Sequence, residues 1–315
     1  MRRPRRAIVA LGGNAMTTPD GSARPEDQRK AIEGTMEHVA GLIAGGTDVV
    51  LTHGNGPQVG NLLMKNEIAA RTVPPASLDW CGAQTQATIG FTMASALEAA
   101  LRRRGLGERD VAALVTRTVV DGADPAFARP SKPIGRYLAH AEAAEFIGLG
   151  QDWADFGARG WRRVVPSPEP REILEAAALR ALLDADVVPV AAGGGGIPVV
   201  RDPGGALRGV EAVLDKDRTA ALLGRVLGAG LLIIVTDVPN AFLDFGGPRA
   251  RPIGRIRAAD LRDYAARGHF ADGSMGPKIE AVLRFVEGGG ERAVITELES
   301  LEPGLAGRAG TVVEP

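Results

Sequence analysis

The sequence predicts an α/β protein with a mainly parallel sheet and helices on its faces, and three observations predict it. Short apolar runs recur along the chain, each followed by a glycine loop and then by apolar residues at helical spacing. The glycine clusters fall at the carboxyl ends of those runs, where ligands sit in such sheets. A segment rich in proline and tryptophan interrupts the rhythm once and marks an insertion.

In chain order, Ala7–Leu11 is the first strand and ends at Gly12-Gly13-Asn14. A helix follows over Pro25–Ala44, where Ile32, Met36, Val39 and Leu42-Ile43 share a face. Thr47–Leu51 is the second strand; it leads into His53-Gly54-Asn55-Gly56-Pro57, a helix over Val59–Ala70 and a longer one over Ala83–Arg103. Val111–Thr116 is the next strand. The segment Asp121–Pro170 then holds Pro125, Pro130, Pro133, Pro166, Pro168 and Pro170 with Trp153 and Trp161. Its core, 124–165, reads as a hairpin-like lid, packed around the tryptophans and Tyr137. The rhythm resumes with a helix over Ile173–Leu183, a strand over Val187–Ala191 feeding Gly193–Gly196, and a helix over Lys216–Leu227. Leu231–Val235 is an apolar strand ending at Thr236-Asp237. Helices over Ala258–Arg267 and Pro277–Glu287 and strands over Ala293–Thr296 and Thr311–Val313 complete the chain. No internal repeat and no linker divides it, so 1–315 is expected to form a single domain.

Composition narrows the class. The 315 residues are 45% hydrophobic and 24% charged, which is ordinary for a folded protein with a sizeable core. A net charge of -1 provides no basic field for nucleic acid. The run Arg2, Arg3, Arg5 and Arg6 is expected to be a solvated tail and lacks the apolar stretch of a secretory signal. No window reaches the roughly 18 apolar residues of a membrane helix. A cytoplasmic protein with no membrane partner is therefore expected. The one cysteine, Cys81, excludes disulfide frameworks and multi-cysteine metal sites. His38, His53, His140 and His269 have no metal-ligand spacing, so no protein-held metal is expected. His53 follows a strand, where it either touches ligand or supports the loop.

Four glycine loops offer backbone N–H groups to anions: Gly12-Gly13-Asn14, Gly54-Asn55-Gly56, Gly193–Gly196 and Gly273-Ser274-Met275-Gly276. Each alone is more often a tight turn; four at strand ends point to phosphate. No G-x-x-x-x-G-K-[ST] occurs, and Gly54, Gly56 and Gly60 lack the dinucleotide spacing. The protein-kinase signatures, G-x-S-x-G and H-E-x-x-H are also missing.

Only five of 37 basic residues are lysine, and three of the five lie in motifs. Lys216 stands between Asp215 and Asp217 at a helix start, an arrangement that also suits the helix dipole by itself. Lys278 follows Gly276-Pro277, where a structural choice would favour Asp or Glu. Lys132 lies on the lid between Pro130 and Pro133, which stiffen its backbone. Lys30 and Lys65 are mid-helix and solvated. A compact ammonium can follow a moving phosphoryl group, and phosphoryl transfer needs little beyond positioning and charge neutralisation.

The motifs in this order resemble the carbamate kinases of the amino acid kinase family. They are Ala10–Ala15, His53–Gly60, Asp79–Gln86, Lys132-Pro133-Ile134-Gly135, Gly193–Pro198, Val213–Asp217, Thr236-Asp237-Val238 and Gly273–Ala281. The resemblance implies an open three-layer αβα sandwich with a small protruding lid. It implies an acceptor-side lobe over 1–200, a nucleotide-side lobe over 201–315 and a homodimer. The implied reaction is reversible transfer between ATP and carbamate, giving ADP and carbamoyl phosphate with Mg²⁺, in arginine degradation with ATP formation. By motif match, Lys216 and Lys278 flank the phosphoryl group, Asp217 organises them, and Lys132 reaches in from the lid. Gly12, Gly13, Asn14, Gly54, Asn55, Gly194 and Gly195 hold the acceptor and phosphoryl side. Asp215, Thr236, Asp237, Phe242, Met275 and Gly276 line the nucleotide side. Phe242 stands where the family usually has tyrosine and can pack on adenine without the hydroxyl. A kinase acting on an acylated amino acid or a nucleoside monophosphate, or a non-catalytic nucleotide sensor, are the alternatives. Intact Lys216, Asp217 and Lys278 weigh against the sensor.

Overall fold

A computed structural model describes residues 6–16, 24–270 and 275–315. Arg2, Arg3, Arg5, Gly273 and Ser274, together with the side chain of Asn14, lie outside what is described.

The core is an eight-stranded sheet. Its order is Arg255–Arg257, Thr311–Glu314, Arg292–Glu297, Leu231–Thr236, Arg6–Leu11, Asp48–His53, Val188–Val190 and Val111–Ala113. Only the pairing of Thr311–Glu314 with Arg292–Glu297 is antiparallel; the other neighbours run parallel. Both faces are covered, so the central strands are continuous apolar runs. In the first strand Ala7, Val9 and Leu11 enter one core with Met36, Val39, Met93 and Leu97. Ile8 and Ala10 alternate into a second core with Leu223, Val282 and Phe285. These two helix layers make the three-layer sandwich.

The helices begin where local chemistry favours them. Pro25–Ala44 opens on proline with Glu26 and Asp27 in its first turn. Lys216–Leu227 is capped by the Asp215 carboxylate, which accepts from the N–H groups of Asp217 and Arg218. Helix Met275–Glu287 starts two residues before Pro277, so Lys278 is its fourth residue.

The insertion is a small unit of its own. Strands Lys132–Leu138, Trp161–Val165 and Trp153–Asp155 form an antiparallel sheet carrying helix His140–Gly148. Tyr137 meets Phe156 edge-on, and Trp153 stacks on Phe146. The lid is seated on helix Gly56–Ala69 by a backbone contact. A Cβ on Gly60 would stand 2.9 Å from the Cα of Gly135, so the helix and the lid strand meet there without side chains.

Four expectations need correction. Arg6, expected in the solvated tail, is half-buried, opens the first strand and donates to the carbonyl of Leu227 at 2.7 Å. The run Val111–Thr116 does not stay in one strand. Val111–Ala113 is the sheet edge, and Arg117–Val119 joins a second, four-stranded sheet. The break is fixed by Gln86, whose side-chain amide bonds both the N–H (2.7 Å) and the carbonyl (3.1 Å) of Thr116. Glu172–Ile173 is a short strand, and the helix begins only at Ala176. The long helix begins at Leu78 rather than Ala83. Among the described residues no helix is long and apolar enough to cross a membrane.

Candidate active site

Helices Lys216–Leu227 and Met275–Glu287 pack side by side in one core, through residues including Leu223, Ala281 and Phe285. Their first turns therefore meet. Asp217 is 3% exposed. One of its oxygens accepts from Lys216 Nζ at 2.5 Å and the other from Lys278 Nζ at 2.9 Å. Burial raises the Asp217 carboxyl, but the two lysines outweigh it and hold it below the usual carboxylate range. Burial also lowers the Lys216 ammonium, helped by the charge of Lys278 and opposed by Asp217. Asp217 thus holds the two lysine side chains side by side and opposes the lowering of Lys216. Asp215 is likewise held low: burial raises it, and Lys132, at 2.9 Å, dominates in the other direction.

The loops after the first two strands close on this group. The N–H of Gly54 donates to the carbonyl of Leu11 at 2.9 Å, and that of Gly12 to Val235 at 3.2 Å. A Cβ on Gly54 would lie 3.5 Å from Cδ of Lys216, so the glycine lets the lysine stem run along the chain. The tetraglycine run sits behind. Gly194 has φ +65° and would place a Cβ 2.3 Å from Nδ2 of Asn55. Asn55 is buried and donates to Thr85 Oγ1 at 2.9 Å. The N–H of Gly195 donates to Ala192 within the turn, at 2.9 Å.

His53 is buried, with Nδ1 2.8 Å from the carbonyl of Gly54. Burial pushes its pKa down to about 4, so the ring is neutral. A carbonyl partner makes Nδ1 the protonated nitrogen. His53 supports the loop from below.

A cavity of about 660 Å³ opens beside the lysine pair. Gly12, Gly13, Lys216 and Lys278 line it together with Thr236, Asp237, Phe242 and Met275. Of the remaining expected residues, Lys132, Asp215 and Gly276 line a second cleft, under the lid. Sequence reasoning missed Phe245, His269, Phe270, Glu297 and Glu299 in the first cavity. Glu297 ends a sheet strand, so the carboxyl-end rule pointed to it. Phe245 lies in the turn Asp244-Phe245-Gly246-Gly247, a loop signal left unread. Its ring stands 5.9 Å from that of Phe242. Among the described residues, no group of three or more His, Cys, Asp and Glu side chains is placed to hold a metal.

An αβα sandwich with a carboxylate clamped between two lysines at its strand ends, beside an aromatic-walled cavity, defines a phosphotransferase. The chain belongs to the amino acid kinase family, which it matches over residues 5–297. The carbamate kinase of Pyrococcus furiosus is 40% identical over 315 residues, 99% of each chain. Carbamate kinase 1 of Enterococcus faecium is 43% identical over 299 residues, 94% of each chain. The structure of the Giardia lamblia carbamate kinase bound to AMP-PNP superposes with a TM-score of 0.92 at 36% identity, covering 100% of this chain and 99% of that one.

Proposed function

We propose that this chain is a carbamate kinase, transferring a phosphoryl group reversibly between ATP and carbamate to give ADP and carbamoyl phosphate. The observation that carries the reading is Asp217, buried between Lys216 and Lys278, the two lysines that line the cavity. In the direction of ATP formation, a β-phosphate oxygen of ADP attacks the phosphorus of carbamoyl phosphate, and the bond to the carbamate oxygen breaks. Charge passes across the transferring group from one side to the other. Lys216 and Lys278, presented by two helix starts, neutralise that group throughout. Asp217 fixes both ammonium groups and opposes the lowering of Lys216 by burial.

Gly12, Gly13, Asn14 and Gly54 border the phosphoryl group. Asn55, Gly194 and Gly195 support the acceptor side from behind, and Lys132 approaches from the lid. Phe242 and Phe245 form an apolar wall for the base, while Thr236, Asp237 and Met275 complete the nucleotide side, and Asp215 and Gly276 face the cleft under the lid. Mg²⁺ would arrive on the nucleotide's phosphate oxygens and offset part of their charge.

The working form is a homodimer in the cytoplasm. Helix Leu78–Arg103 supports the dimer, because it carries no charged residue from Trp80 to Leu97 and exposes Trp80 (67%) and Phe91 (54%). A charge-free face can meet its own two-fold copy without like-charge repulsion. Sedimentation as two chains rather than one tests this.

Purified protein given ADP, Mg²⁺ and carbamoyl phosphate should make ATP. A folded sample that makes none, yet phosphorylates acetylglutamate or a nucleoside monophosphate, would replace the substrate assignment.

A further inference from the structure

The two oxygens of Asp215 serve different parts of the fold. Oδ1 accepts from the N–H groups of Asp217 (3.0 Å) and Arg218 (3.2 Å), capping the helix that carries Lys216. Oδ2 accepts from Lys132 Nζ at 2.9 Å. Lys132 is the first residue of the lid strand Lys132–Leu138. The lid is rooted on the other side of the cleft, where Ile134 and Val165 pack with Val59, Leu63, Leu78 and Cys81. Between the lid and the helices starting at Lys216 and Met275 lies a cavity of about 800 Å³. Ser131, Lys132 and Arg162 line its lid side, and Asp215, Arg218 and Arg284 face them. The Lys132–Asp215 pair spans this opening. Capping alone does not require a charge here, since asparagine or serine caps as well as aspartate.

We propose that Asp215 is a positioning residue that docks the lid. It holds the Lys132 ammonium across the cleft, next to the turn bearing Lys216 and Asp217. When substrate enters, Lys132 exchanges a carboxylate oxygen for a phosphoryl oxygen. It stays ion-paired throughout and need not be ordered from solvent. The kinetic part of this proposal rests on the phosphoryl-transfer reading above; the docking part does not.

The test is Asp215→Asn in the full chain, which keeps the cap and removes the charge that Lys132 meets. The variant should fold with its cap intact and melt somewhat lower, through loss of the Lys132 pair alone, and its affinity for ADP should stay within about twofold of the unmodified chain. Turnover with ADP and carbamoyl phosphate should fall about tenfold or more, the worth of one charge-assisted hydrogen bond. Backbone hydrogen exchange across Lys132–Leu138 should quicken by at least about tenfold as the lid opens more often. Lys132→Ala leaves the cap untouched and should quicken the same exchange. Combined with Asp215→Asn it should add little further loss, since both break one pair.

Wild-type lid exchange and turnover in Asp215→Asn would overturn the proposal. So would weakened ADP binding with unchanged lid exchange, which would make Asp215 a nucleotide ligand only. If the unmodified chain makes no ATP, the functional reading fails, and lid exchange in the two variants still decides the docking.

Discussion

Replacing Asp217 with asparagine changes one charge and almost no volume, and the structure sets the size of the effect. The carboxylate is 3% exposed and is the shared partner of two ammonium groups at 2.5 and 2.9 Å. Asparagine would leave those two cations facing one another with no counter-charge between them. Removing one member of a buried ion pair costs about 3–5 kcal/mol. The side chains of Lys216 and Lys278 keep 13% and 16% exposure, so the lower end, about 3 kcal/mol, applies. For 315 residues, with an unfolding entropy of about 2.1 cal/mol/K per residue, that is a fall of about 4–5 °C in melting temperature. Catalysis should suffer separately. Asp217 is what opposes the lowering of Lys216 by burial and by Lys278. Without it Lys216 loses its proton at lower pH, and turnover in mildly alkaline buffer should fall about a hundredfold. Lowering the pH should restore part of the loss. The assay is ATP formation across a pH series, with a thermal melt on the same samples. A variant that melts with the unmodified protein and keeps its alkaline limb would refute the role given to Asp217.

Gly60→Ala would place a Cβ 2.9 Å from the Gly135 backbone, which cannot swing aside. The lid should shift, stability should fall by about 1–3 kcal/mol in urea unfolding, and turnover should fall with ADP affinity intact. His53 has a folded pKa of about 4 against an ordinary 6.5, through burial first and then the charge of Lys216, against the opposing bond to Gly54. A lowered folded pKa means full stability above the unfolded value and loss as the pH falls from it toward the folded one. Urea titrations should show about 3 kcal/mol lost over that window, and His53→Gln should flatten the slope. Phe242→Ala or Phe245→Ala should weaken ADP about threefold to tenfold and leave the KM for carbamoyl phosphate unchanged. Equal loss for both substrates would remove the aromatic wall from the base site.

Helices Pro25–Ala44 and Lys216–Leu227 were legible to the residue because their starts are written locally, in a proline with acidic neighbours and in an aspartate cap. The central strands were legible because both of their faces are buried and the run is continuous. The break after Ala113 was not, because the group that pairs with Thr116 is the side chain of Gln86, 30 residues away. The short strands Ile197–Arg201 and Leu207–Gly209 went unread, although Pro203-Gly204-Gly205 between them is a turn signal. At the site, the motif lysines could be named from sequence. Their convergence on Asp217 depends on two helices packing side by side, and no spacing encodes that. Phe245, exposed and in a loop, carries no periodic signal.

The central claim is tested most directly by following phosphorus through the reaction. With ADP, Mg²⁺ and carbamoyl phosphate, phosphorus NMR of the purified chain should show the carbamoyl phosphate resonance decay as the γ-phosphate of ATP grows in step. The signal should be lost in Lys278→Ala. Carbamoyl phosphate that persists beside folded, ADP-bound protein would contradict the assignment.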